Sequence, residues 1–286
     1  MDERTLVSPE RAAALIAAGE ARAIDCRFDP VGPGCDPERG ARDYAAGHVP
    51  GAVYANLDLD LSDLRIGGRG RHPLPSEAAF SATLSRWGLE PSDAVIAYDD
   101  ASGAYASRLW WMLRLVGHAR VAVLDGGFAA WRAAGLPLEA AVPAYRPTRY
   151  VARYDAGAIE TSEGVRDKLA SGAIALVDAR GAARFRGENE TIDPVAGHVP
   201  GALNRPFLDN LDAGGRFKPA GVLRDELRAV IGPRDPREVV LMCGSGVTAC
   251  HDLLAMEHAG LAGARVYAGS WSEWITDPER PVARGD

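Results

Sequence analysis

The chain has 286 residues, of which 47% are hydrophobic and 25% charged, with a formal net charge of -7. That length suits two domains of roughly 100–200 residues, each able to bury a core, and the near-average composition excludes disorder, collagen and coiled coil. No apolar run approaches the ~18–20 residues of a membrane span, Met1-Asp2-Glu3-Arg4 lacks the basic-then-apolar pattern of a secretory signal, and the acidic balance argues against nucleic acid as a partner.

Along the chain, helical stretches alternate with short apolar runs. Ser8-Pro9-Glu10 is a cap followed by proline and opens a helix over 8–18. A second helix is expected over 77–87, then a buried strand over 94–98, a helix over 104–116 and a strand over 121–124. Beyond the stretch Pro143-Ala144-Tyr145-Arg146-Pro147, Thr161-Ser162-Glu163-Gly164 starts a helix over 161–170. Apolar runs at 173–177 and 239–242 read as strands, and a helix follows over 249–259. The alternation predicts an α/β protein whose sheets are mostly parallel and flanked by helices.

The chain also repeats itself. Gly47-His48-Val49-Pro50-Gly51-Ala52 recurs as Gly197-His198-Val199-Pro200-Gly201-Ala202, preceded by Asp25-Cys26-Arg27 in one copy and Asp178-Ala179-Arg180 in the other. Downstream, Asp125-Gly126-Gly127-Phe128 with Trp131 matches Ala268-Gly269-Ser270-Trp271 with Trp274. Matches in the same order make two tandem copies of one domain, expected at 1–142 and 155–286 with a linker over 143–154. His48 and His198 occur in both copies, which favours a structural turn role. The tryptophans Trp110, Trp111, Trp271 and Trp274 read as packing residues.

In open parallel sheets, ligands sit beyond the carboxyl ends of strands. After the strand at 239–242 comes Cys243-Gly244-Ser245-Gly246-Val247-Thr248, whereas the first copy, aligned on the following helix, reads Asp100-Ala101-Ser102-Gly103-Ala104-Tyr105. One copy presents a thiol where the other presents a carboxylate. The glycines let backbone N–H groups converge as an anion nest, and the helix terminus adds partial positive charge, so the loop favours a nucleophilic thiolate at Cys243. A free cysteine is most often a small buried hydrophobe, but a packed position needs no flanking glycines. Cys250 reads as core, and Cys26 and Cys35 as structural or incidental; four cysteines in so long a chain read as reduced thiols of a cytoplasmic protein. No Cys-x-x-Cys or His/Cys cluster supports a metal.

Together, the repeated Gly-His-Val-Pro-Gly-Ala, the two Asp-x-Arg motifs and Cys243-Gly244-Ser245-Gly246-Val247-Thr248-Ala249 resemble the tandem-domain rhodanese-like sulfurtransferases over essentially the whole chain. The resemblance implies that only the C-terminal copy is catalytic. It also implies that Cys243 takes a sulfane sulfur from a small donor as a persulfide and passes it to a thiol or cyanide acceptor, a thioredoxin-like protein among the candidates, with no cofactor. The Cys-Gly-Ser-Gly-Val-Thr loop looks like the 3-mercaptopyruvate branch, with Gly244, Gly246, Val247 and Thr248 around the reacting sulfur. Thr248 is also expected to cap the following helix.

By motif position Arg184 would bind the donor anion, with Arg186 assisting, and the set Asp58, His72 and Ser245 would polarise the donor carbonyl and move a proton. Each of these has a plainer reading: Arg184 an exposed salt bridge, Asp58 a turn residue, His72 a loop surface group, Ser245 merely small. Members of that branch carry a second arginine shortly before the second Gly-His motif. Here Glu188-Asn189-Glu190-Thr191-Ile192-Asp193 supplies three acids and no arginine, so thiosulfate remains the alternative donor. A cysteine phosphatase would need an arginine at position 249, which is Ala249, and a non-catalytic anion- or sulfur-sensing module is the remaining class.

Overall fold

The computed structural model describes residues 1, 3–29 and 35–285. The chain forms two compact units, Met1–Asp63 with Leu74–Asp155, and Leu64–Pro73 with Ala156–Asp286. The first contains β1 (Leu6–Val7), α1 (Pro9–Ala17), β2 (Arg22–Asp25), α2 (Arg39–Ala46), β3 (Val53–Tyr54), α3 (Glu77–Arg86), β4 (Val95–Tyr98), α4 (Ala106–Leu115), β5 (Val121–Leu124) and α5 (Gly127–Ala133). The second contains β6 (Ile159–Glu160), α6 (Ser162–Ala170), β7 (Ala175–Asp178), α7 (Ala182–Phe185), β8 (Leu203–Asn204), α8 (Ala220–Ile231), β9 (Val239–Met242), α9 (Ala249–His258), β10 (Arg265–Tyr267) and α10 (Ser270–Trp274).

Each unit is built on a five-stranded parallel sheet, ordered β1-β5-β4-β2-β3 in the first and β6-β10-β9-β7-β8 in the second. Helices flank both sheets, so the inner strands β4, β5, β7 and β9 are buried along their whole length and read as continuous apolar runs. The expected helix starts are capped as their residues dictate: Ser8, Ser76 and Thr161 each accept a backbone N–H from the first turn. The chain reverses its direction of travel across the sheet between β2 and β4, and again between β7 and β9. The carboxyl end of β9 is therefore a topological switch point, where an open sheet leaves a crevice.

The stretch 143–154 is tied along α3: Thr148 and Tyr150 donate backbone N–H groups to Ser85, and Ala152 to Ser81. Residues Leu64–Pro73, from the middle of the first repeat, belong to the second unit. Gly70 explains part of that: its φ of +86° is left-handed, and a Cβ there would come within 2.6 Å of the Gly269 carbonyl and 2.9 Å of Ser272 Oγ. The Arg71 N–H then donates to Ser272 Oγ at 3.0 Å.

The repeated motifs are structural in both units. Arg27 forks onto Asp25 and donates to the Gly47 carbonyl, and Arg180 does the same with Asp178 and Gly197. Both ion pairs are buried, so losing one partner would strand a charge at a cost of about 3–5 kcal/mol. His48 Nδ1 bonds the Tyr44 carbonyl and stacks on Tyr44, while His198 Nδ1 bonds the Phe185 carbonyl and stacks on Phe185. Trp110, Trp111, Trp271 and Trp274 are all buried in the cores, as expected.

Candidate active site

Cys243 immediately follows β9, beside β7 in the register Asp178 with Met242. Its sulfur is buried and accepts the backbone N–H groups of Ser245 at 3.4 Å and Gly246 at 3.2 Å. The loop can curl this way because Gly246 takes φ +76°, and a Cβ there would overlap the Ala268 carbonyl oxygen. The turn into α10 braces the same loop. Trp271 N–H donates to the Cys243 carbonyl at 3.0 Å, Ser272 N–H to the Gly244 carbonyl at 2.9 Å, and Cys243 N–H to Ser270 Oγ at 3.0 Å. Ser270 adopts φ +53°, a strained value for a non-glycine residue, in exchange for that hydroxyl contact.

The first unit has the same frame with different contents. There Phe128 N–H donates to the Asp99 carbonyl, as Trp271 does to Cys243. The counterpart of Cys243 is therefore Asp99, not Asp100 as alignment on the helix suggests. The first loop is one residue longer before its helix, which shifts the comparison. Asp100 instead forms an ion pair with Arg39 at 2.7 Å. Buried Asp99 accepts the N–H groups of Ala101 and Gly103 on Oδ1 and of Tyr105 and Ala106 on Oδ2.

The sequence-derived candidates are placed as follows. His72 and Ser245 come together: Nδ1 lies 2.7 Å from Oγ, both residues buried. Arg184 reaches the loop, since a Cβ on Gly244 would lie 3.7 Å from each of its terminal nitrogens. Arg186 forks onto Glu188 at 2.8 Å. Thr248 stands at the start of α9 with helical φ and ψ and makes no side-chain capping bond, so the expected cap is not formed. Cys250 is buried, its thiol 3.3 Å from the Gly246 carbonyl. Asp58 lies in the first unit, in a turn where its N–H and that of Leu59 donate to Asn56 Oδ1.

One residue escaped the motif reading. Arg71, carried by Leu64–Pro73, points Nη2 to within 2.8 Å of where a Gly244 Cβ would be. Arg71 and Arg184 both bind Asp193, through a close contact to Oδ1 and at 3.1 Å to Oδ2. Glu190 clamps Arg184 from the other side with both oxygens at 2.9 Å. Burial opposes the charge on Glu190, but the N–H groups of Asp193 and Ile192 and the Arg184 guanidinium outweigh it and hold its pKa below the ordinary value. Asp193 goes the other way. Burial raises its pKa, the Glu190 charge adds to this, and Arg71 and Arg184 only partly offset it.

Arg180 adds a third cation, buried beneath the site. Burial works against its charge, yet Asp178, Glu190 and Cys243 together raise its pKa. Its Nη1 lies 3.6 Å from Glu190 and makes no hydrogen bond among the described residues. A cavity of about 480 Å³ elsewhere in this unit, lined by residues such as Leu169, Ile174, Val199 and Trp274, includes no residue of the 243–248 loop. Among the described residues no group of three or more His, Cys, Asp or Glu could hold a metal ion, and no helix is long and apolar enough to cross a membrane.

A buried thiol in an amide-lined loop at a switch point, in the second of two like α/β units, defines a class of anion-handling cysteine proteins. The rhodanese-like domain model matches residues 8–134 and 161–277, and the chain belongs to the rhodanese-like family. It is 46% identical over its full length, and the full length of the relative, to a probable 3-mercaptopyruvate sulfurtransferase of Pseudomonas aeruginosa. It is 34% identical to the thiosulfate sulfurtransferase of Mus musculus, over 99% of this chain and 96% of that one. The solved 3-mercaptopyruvate sulfurtransferase of Leishmania major superposes with a TM-score of 0.84 at 31% identity, covering 97% of this chain and 75% of that one.

Proposed function

We propose that the protein moves a sulfane sulfur from 3-mercaptopyruvate to a thiol or cyanide acceptor through a persulfide on Cys243. The observation that carries this reading is the Cys243 sulfur itself, held by two loop amides and bordered at Gly244 by two guanidinium groups. The Cys243 thiolate bonds to the donor sulfur and the carbon–sulfur bond breaks. The electron pair stays on the three-carbon acid as an enolate, and the donor's thiol proton ends on that carbon, giving pyruvate. Ser245 Oγ, hydrogen-bonded to His72, meets the donor carbonyl and relays the proton. Gly246, Val247 and Thr248 lead into α9, whose N-terminus carries partial positive charge that would favour the charged outer sulfur.

Cyanide then takes the outer sulfur as thiocyanate, or a thiol takes it as a new persulfide, and the Cys243 thiolate returns. A thioredoxin-like protein would serve as a thiol acceptor. The four free cysteines fit a reducing cytoplasm. Incubation with mercaptopyruvate alone should add the mass of one sulfur atom to the Cys243 peptide, and Cys243→Ser should abolish both this adduct and turnover. Transfer at the wild-type rate by Cys243→Ser would end the reading.

Thiosulfate is a second reading with its own support. Gly244 and Ser245 bring no cation of their own to a dianionic donor, but Arg71 stands beside Gly244 with Arg184. Steady-state kinetics with both donors under one set of conditions separates the two.

A further inference from the structure

Arg71 and Arg184 converge on Gly244 from different parts of the second unit, yet both are bound to Asp193, one on each carboxylate oxygen. A carboxylate bridging two guanidinium groups next to a reactive sulfur is the arrangement that a small carboxylate substrate would itself adopt. We infer that Asp193 is a built-in stand-in for the donor's carboxylate, that the donor binds by displacing it from Arg71 and Arg184, and that Arg71 is a specificity-determining residue for 2-oxo acid donors.

Three features of the cluster support displacement. Glu190 grips Arg184 independently, through Nε and Nη2, and so keeps that guanidinium placed when Asp193 leaves. Arg71 is fixed through its backbone to Ser272, whose own N–H supports the Gly244 carbonyl, so its position does not depend on Asp193 alone. Glu190 meanwhile sets a second negative charge beside Asp193 and accepts the Asp193 N–H, so the two acids repel while the arginines attract. Of the two, Asp193 is the less firmly held as an anion, because burial favours its neutral form.

This inference rests on the persulfide reading only for the identity of the donor, and pyruvate allows it to be tested apart from sulfur transfer. Pyruvate carries the donor's carboxylate and carbonyl but no sulfur, so its binding is read directly by calorimetry on the wild type, Arg71→Met, Arg71→Lys and Asp193→Asn. Loss of one charge-assisted contact worth about 1.5–3 kcal/mol predicts that Arg71→Met weakens pyruvate roughly 10- to 150-fold, with Arg71→Lys intermediate. Asp193→Asn should tighten pyruvate several-fold and lower KM for mercaptopyruvate, because the internal competitor is gone.

Weaker pyruvate binding by Asp193→Asn would show that Asp193 only positions the arginines, and would overturn the displacement. Unchanged binding by Arg71→Met, or no pyruvate binding to the wild type, would remove Arg71 from the donor site. Thermal unfolding of each variant identifies any that fail to fold, and Asp193→Ser then takes the place of Asp193→Asn. If no donor produces a persulfide in the wild type, the functional reading fails while the pyruvate result still decides the role of the two arginines.

Discussion

Gly246→Ala tests the loop that holds the sulfur. Gly246 has φ +76°, and the added Cβ would overlap the Ala268 carbonyl oxygen. An L-residue in left-handed backbone costs about 1–2 kcal/mol, and relieving the overlap requires the loop to move. The movement withdraws the Gly246 N–H from Cys243 Sγ, now 3.2 Å away. A hydrogen bond to a charged group is worth about 1.5–3 kcal/mol, which corresponds to a fall of roughly 10- to 150-fold in the rate of persulfide formation. Strain and relocation together, about 3 kcal/mol, should lower Tm by roughly 6–12 °C.

The assay is single-turnover persulfidation by mercaptopyruvate, followed by mass, beside thermal unfolding. Gly201→Ala is the control. It has φ +81°, but the nearest atoms to its added Cβ are the Leu169 side-chain carbons at 4.0 Å, so it reports backbone strain alone. Wild-type persulfidation in Gly246→Ala, with Tm lowered no further than in Gly201→Ala, would refute the claim that this amide supports the sulfur.

Three further outcomes are expected. Ser245→Ala and His72→Asn should each lower kcat with mercaptopyruvate by roughly 10²-fold, and the double variant should lose little more, since one hydrogen-bonded pair acts as a unit; additive losses would separate the two residues. Arg184→Ala should raise KM for mercaptopyruvate more than it lowers kcat, and an unchanged KM would place its guanidinium outside the donor site. Asp252 is buried with its Oδ1 on Asn210, and burial raises its pKa from 3.8 to about 8. Between those values the folded chain holds a proton that the unfolded chain has lost, so stability falls as pH rises, by up to about 1.4 kcal/mol per unit. Urea unfolding at pH 5 and pH 8 should therefore show a smaller difference for Asp252→Asn than for the wild type, and an equal difference would mean Asp252 is ionised in the folded state.

What could be read in the sequence follows from what the physics repeats locally. The inner strands were legible because burial on both faces makes them short unbroken apolar runs, as in Val95–Tyr98 and Val239–Met242. The edge strands Leu6–Val7, Val53–Tyr54, Ile159–Glu160 and Leu203–Asn204 have two residues each and carry no period to detect. Cys243 was legible because its glycines serve a backbone shape that a core cysteine does not need. Arg71 was not, because it reaches the loop only through the membership of Leu64–Pro73 in the second unit, a tertiary fact. Its local signals were slight: adjacency to His72, and Gly70 before it in left-handed backbone. The acidic run 188–193 looked hostile to an anionic donor when charges were counted. In space, Glu190 and Asp193 are the partners of the site's own arginines.

Comparing the two loops sharpens what the second one does. In the first unit a carboxylate fills the nest, and its two oxygens take four amides. That nest has satisfied itself: an incoming anion would have to displace a buried side chain that is already fully hydrogen-bonded. In the second unit the sulfur accepts the Ser245 and Gly246 amides and has one fewer loop residue around it before α9 begins. A single sulfur atom is also smaller than a carboxylate group, and the partial positive charge of the α9 N-terminus follows directly after the loop that holds it. The fold therefore offers one anion nest per repeat. Substituting cysteine for aspartate and shortening the loop turns a closed nest into one that can accept a second sulfur, which is the geometric requirement for a persulfide.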